Sequence, residues 1–95
     1  MTEKDAYERK AEAKMREWQA DIDKLRAQAD QVSADARIEY DRQIAKLVEQ
    51  QKAARQQYEK LEKASGEAWA DMKSGMEKAW ADMSQAMRDA MRRFG

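Results

Sequence analysis

Apolar or small residues recur along the first two thirds of the chain at Tyr7, Ala11, Met15, Trp18, Ile22, Leu25, Ala29, Val32 and Ala36. From Met15 onward the steps alternate between three and four residues, the seam of a heptad coiled coil. Two successive four-residue steps, from Ala36 through Tyr40 to Ile44, put an eleven-residue stutter into the register. A stutter of this kind unwinds a supercoil locally without ending the helix. The heptad then resumes at Leu47, Gln51, Ala54, Tyr58 and Leu61. The predicted seam is therefore Met15, Trp18, Ile22, Leu25, Val32, Tyr40, Ile44, Leu47, Tyr58 and Leu61. Charged positions such as Glu8/Glu12, Asp21/Asp23 and Glu59/Glu62/Lys63 fall on the outer, solvated side.

Past Leu61 the pattern changes. Ala68-Trp69-Ala70-Asp71-Met72 is written again as Ala79-Trp80-Ala81-Asp82-Met83 and begun a third time at Ala90-Met91. The repeat is eleven residues, about three helical turns, so matched positions share one side of a helix. At about 100° per residue, Met76, Trp80, Met83, Met87, Met91 and Phe94 lie within about 40° of Trp69, and Met72 lies about 60° away. Trp69, Met72, Met76, Trp80, Met83, Met87, Met91 and Phe94 thus form one broad apolar face, with Asp71, Lys78, Asp82, Gln85 and Asp89 opposite.

Thr2 followed by Glu3 and Asp5 is a helix start, with a capping hydroxyl and acidic groups at the positive end of the helix dipole. No Gly, Pro or Asn interrupts Glu3 to Lys63; the clear punctuation is Ala64-Ser65-Gly66-Glu67. Gly66 suits the left-handed residue that closes a helix, and Lys60 and Lys63 suit its last turn. The pattern predicts an all-α fold: a long helix over about 3–63, a turn near Ser65-Gly66, and a helix over about 67–94 folded back as an antiparallel helical hairpin. One domain, 1–95, then comprises a heptad helix over 3–64 and a Trp/Met-rich part over 65–95. At ~1.5 Å per residue the long helix would reach roughly 90 Å, and its unpaired half would seek a second chain. The alternative is a break at Ser33, within Gln31-Val32-Ser33-Ala34-Asp35, giving a monomeric three-helix bundle. Continuity, and the thinness of Ala-rich seams as the core of a small lone domain, favour the oligomeric hairpin.

Composition narrows the function classes. Hydrophobic residues make up 42 % and charged residues 40 %, with no proline, the mixture of long solvated helices. Two valines and three isoleucines are too few for a sheet. Lys and Arg number 19, as do Asp and Glu, so there is no basic field to bind nucleic acid. The absence of cysteine removes disulfides and thiolate chemistry and fits a reducing compartment. Nothing at the N-terminus resembles a secretory signal, and no run approaches the ~20 apolar residues of a membrane span. The expected location is the cytoplasm. Without histidine there is no nucleophile–base pair, and no glycine loop for phosphate is present. A non-enzyme without cofactor is expected.

The Trp/Met face has a plain reading as core, packed on the preceding helix. It also has a functional one, because Met-rich faces adapt to varied partners. A protein client and a lipid headgroup layer are the candidate occupants beyond self-association; the lipid reading is weakened by the balanced charge of the helix, which holds five acidic and five basic residues. Met72/Met76 and Met83/Met87/Met91 are spaced one turn apart, but thioethers alone are weak ligands, so no metal is expected.

Two stretches carry a resemblance. Glu17-Trp18-Gln19-Ala20-Asp21-Ile22-Asp23-Lys24-Leu25 with Ala36-Arg37-Ile38-Glu39-Tyr40, and Ala64 through Gly75 with Glu77-Lys78-Ala79-Trp80, resemble a family of small bacterial and cyanobacterial coiled-coil stress-response proteins. The most specific element is the twin Ala-Trp-x-Asp motif. This chain departs from the family by placing Met72, Met76, Met83, Met87 and Met91 where Leu, Val, Ile or Ala is expected. The resemblance implies a coiled-coil fold and a response to stress, and brings no catalytic residues.

Overall fold

The computed structural model describes residues 2–94; Met1 and Gly95, the ends of the expected domain, lie outside the described residues. Three helices follow one another: α1 (Glu3–Ala29), α2 (Ala34–Lys63) and α3 (Glu67–Phe94). They run up, down and up, so α1 and α3 are parallel, in a body of 51 × 20 × 18 Å. The fold is all-α, as the periodicity predicts.

The continuous helix over 3–63 is not observed: the chain reverses between Ala29 and Ala34. Ser33 stands in extended backbone (φ −63°, ψ 161°), and its hydroxyl accepts from the Ala36 N–H at 3.4 Å. Across the turn the Arg37 guanidinium meets the Asp30 carboxylate at 2.8 Å. No described residue other than Gly66 has a positive φ, so this reversal needs neither glycine nor proline. The apparent stutter from Ala36 to Ile44 is the seam restarting after the turn. Folding back gives each half of the seam a partner within the chain, since Met15, Trp18, Ile22 and Leu25 are buried along with Ile44, Leu47, Tyr58 and Leu61. At about 1.5–3 kcal/mol for each large apolar side chain removed from water, that mutual burial far outweighs one turn's worth of helical hydrogen bonds.

The outer boundaries follow the sequence. The Asp5 N–H donates to the Thr2 hydroxyl at 3.1 Å and the Thr2 N–H donates to the Asp5 carboxylate at 3.4 Å, a reciprocal capping box. Gly66 takes φ +59° between α2 and α3. Val32 and Tyr40 are half-buried rather than central: Val32 sits in the turn, and the Tyr40 ring packs on Phe94 with centroids 4.2 Å apart.

The two interfaces of α3 differ in grain. Against α2 it presents small residues: Gly75 comes so close that a methyl group there would stand 2.7 Å from the Gln57 side-chain oxygen. Ala53, Gly75 and Ala79 line the same α2/α3 furrow. Toward α1 the fillers are aromatic, and the two backbones stay apart. Small residues draw helix axes together and large ones hold them off, within a range of about 8–10 Å. The wider side becomes a groove.

The aromatic groove between the first and third helices

Of the eight residues on the predicted face, Met76, Met83 and Met87 are buried, whereas Trp69, Met72, Trp80, Met91 and Phe94 are half-buried. The centre of the stripe is core and its margins reach the surface. At the α1 margin a chain of rings closes the gap: Trp18 and Trp80 meet edge to face at 5.9 Å, Tyr7 and Trp80 are tilted at 6.3 Å, and Tyr7 and Trp69 meet edge to face at 6.1 Å. Edge-to-face pairs at these separations add about 0.5–1.5 kcal/mol to the burial of the rings. Trp18 is fully buried beneath them. Trp80 stands between two clefts, one of about 390 Å³ bounded by Tyr7, Lys10, Glu77 and Ala81, the other of about 280 Å³ bounded by Trp18, Asp21, Ser84, Arg88 and Met91.

Lys73 closes the N-terminal end of the groove. Its ammonium lies 5.3 Å from the Tyr7 ring centre and 5.4 Å from that of Trp69, and pairs with Glu3 at 3.3 Å. The Tyr7 hydroxyl and the Trp69 indole N–H have no hydrogen-bond partner among the described residues. Burial, and then the neighbouring Glu77 carboxylate, push the Tyr7 phenol above its usual pKa. On the far side of the bundle Tyr58 is raised more strongly. Burial is the first cause, its hydrogen bond to Glu12 the second, and the charges of Glu12, Glu62 and Glu8 add to it. Both phenols are held protonated, the opposite of an activated nucleophile. Among the described residues no three His, Cys, Asp or Glu side chains converge as a metal site. No helix among them is long and apolar enough to cross a membrane.

The rim of this groove is not legible in the periodicity. Tyr7 falls on the apolar seam, but Lys10, Lys14, Glu17, Asp21, Glu77, Ala81, Ser84 and Arg88 read as ordinary helix surface. They become neighbours only once the turn at Ser33 brings α3 beside α1. The predicted seam and stripe, by contrast, do come together: Ala11, Met15, Trp18, Ile22, Leu25, Ile44, Leu47, Leu61, Met76 and Met83 belong to one continuous core.

The fold and the groove define an all-α three-helix bundle with an aromatic furrow on one side. No family model, curated protein or solved structure matches the chain.

Proposed function

We propose that the protein is a non-catalytic interaction module that associates with copies of itself, and under stress with apolar segments of client proteins, through the α1/α3 groove. The observation that carries this is the half-buried Trp80, set between two clefts and backed by Trp18 and Tyr7. A large amphipathic ring at the bottom of a furrow is the residue type on which binding energy concentrates, and Met91 beside it supplies an adaptable wall. The coiled-coil seam is covered within the chain, which leaves the half-buried aromatic side chains of this groove as an apolar surface open to association. The non-catalytic part of the reading draws on the absence of His and Cys and on phenols held in their protonated form. The link to stress and a cytoplasmic setting rests on the twin Ala-Trp-x-Asp resemblance and on the lack of cysteine.

Sedimentation velocity over the micromolar range tests the self-association. Concentration-dependent growth beyond the 11.1 kDa monomer is expected, and the Ala81→Arg substitution, which puts a long charged chain on the exposed rim of the groove, should abolish it. A wild-type protein that stays monomeric throughout refutes the reading.

A lipid surface is the second reading, favoured by the length of α3's apolar side, which runs from Trp69 to Phe94. It requires α3 to leave the bundle, because Met76 and Met83 are fully buried. Tryptophan emission should then shift blue on adding vesicles, and an unchanged spectrum with both neutral and anionic lipid removes this reading.

A further inference from the structure

The rim of the groove carries a charge pattern that repeats its own inverse. On α1 the groove side bears Lys10, Lys14, Glu17 and Asp21, and on α3 it bears Glu77, Ala81, Ser84 and Arg88. Both sets occupy the same offsets, zero, four, seven and eleven, which at about 100° per residue keep each set within about 60° on its helix. Read from the N-terminal end, α1 goes from positive to negative, and the parallel α3 goes from negative to positive. The cleft linings put the two sets side by side: Lys10 shares a cleft with Glu77, and Asp21 shares one with Arg88. Despite that sharing, none of Lys10, Asp21, Glu77 and Arg88 is within salt-bridge distance of an opposite charge among the described residues, and Arg88 bonds only to the Gln85 amide oxygen at 2.8 Å. Lys14 and Glu17, between them, pair with each other at 3.2 Å.

We infer that this face is a self-complementary dimer interface, taking a second copy of the chain in antiparallel orientation. The inference rests on the self-association proposed above and specifies its geometry. A two-fold axis lying across the helices sets α1 against the α1 of the second copy and α3 against its α3. Lys10 then faces Asp21, and the Lys14–Glu17 pair meets its own reverse, all symmetric about a point between Met15 and Arg16. Glu77 faces Arg88 and Ala81 faces Ser84, symmetric about a point between Asp82 and Met83. The two midpoints lie at neighbouring levels of the bundle, so one axis serves both helices. Small Ala81 and Ser84 meet at the centre, which lets the backbones approach and closes the clefts on either side of each Trp80. The opposed stretches run for about 17 Å along each helix, on one long side of a 51 × 20 × 18 Å body. The opposite choice of axis, along the helices, would set α1 against α3 of the second copy. It would satisfy Lys10 with Glu77 and Asp21 with Arg88, but would leave Lys14 opposite uncharged Ala81 and Ser84 and align the helix dipoles in parallel.

Charge exchange at low salt separates these arrangements. Each pair occurs twice in a two-fold dimer, so Lys10→Glu should weaken dimerisation about ten-fold, and Asp21→Lys should do the same. The double variant Lys10→Glu/Asp21→Lys should return the dissociation constant to near the wild-type value, because each reversed charge again meets its opposite. All three variants change surface positions, and circular dichroism should report unchanged helicity. Rescue by Lys10→Glu/Glu77→Lys in place of the first double variant overturns the antiparallel arrangement. A dimer abolished by Ala81→Arg yet indifferent to all the charge variants overturns the inference while leaving the groove as the site of self-association.

Discussion

Replacing Gly75 by alanine tests how closely α2 and α3 approach. Gly75 is an interior residue of α3, where glycine costs about 0.8–1.0 kcal/mol relative to alanine through backbone entropy. Opposing that gain, a methyl group built on Gly75 would stand 2.7 Å from Gln57 Oε1 and 3.5 Å from Gln57 Cδ. The nearer atom is the far end of a half-buried, flexible side chain. Rotating the amide out of the furrow costs a few tenths of a kcal/mol if it finds another staggered rotamer, and about 0.5–1.5 kcal/mol if it is forced off one. The entropy term is the larger in the first case, so Gly75→Ala should stabilise the bundle by about 0.5 kcal/mol. At about 4–8 °C per kcal/mol for a domain of this size, the melting temperature should rise by a few degrees. Urea denaturation followed by circular dichroism measures this, with an unchanged slope as the control for two-state behaviour. In a Gln57→Ala background the clash is gone, and Gly75→Ala should yield its full ~1 kcal/mol. Destabilisation by Gly75→Ala in both backgrounds would mean that backbone, rather than the Gln57 amide, limits the approach, and would refute the reasoning.

Two further outcomes concern the turn and the buried phenol. Ser33→Ala removes the hydroxyl that caps α2 and should cost about 1 kcal/mol in chemical denaturation, while Ser33→Asp should keep most of that stability; equal losses from both would argue against capping. Tyr58 holds its proton in the fold at pH values where the unfolded chain, near the ordinary 10.0, releases it. Its contribution is therefore fully present below pH 10 and lost as pH rises through the alkaline range, at up to about 1.4 kcal/mol per pH unit per phenol. Tyr58→Phe should flatten that decline, leaving the smaller slope from Tyr7, whose pKa is also raised; an alkaline denaturation curve as steep as wild type would show that other groups set it.

Much of the core is legible in the periodicity alone. Trp18, Ile22, Leu25, Leu47, Leu61, Met76 and Met83 all fall on the predicted seam or stripe and are fully buried. Helical periodicity reports which side of a helix is apolar, and that side is buried whichever neighbour covers it. Val32 and Tyr40 depart from this, since one lies in the turn and the other beside it, where the layer of side chains ends.

Local sequence sets the capping box at Thr2, the glycine hinge at Gly66 and the apolar side of each helix, because these depend on residues within one or two turns of each other. The reversal at Ser33 belongs instead to tertiary packing. A single serine cap is worth about 1 kcal/mol, too little to read as a break, whereas burying Met15–Leu25 against Ile44–Leu61 involves many side chains at about 1.5–3 kcal/mol each. The same reversal created the groove. Lys10 and Glu77, or Trp18 and Trp80, are far apart in the chain, and only the side-by-side placement of α1 and α3 turns two ordinary helix surfaces into one aromatic furrow with a patterned rim.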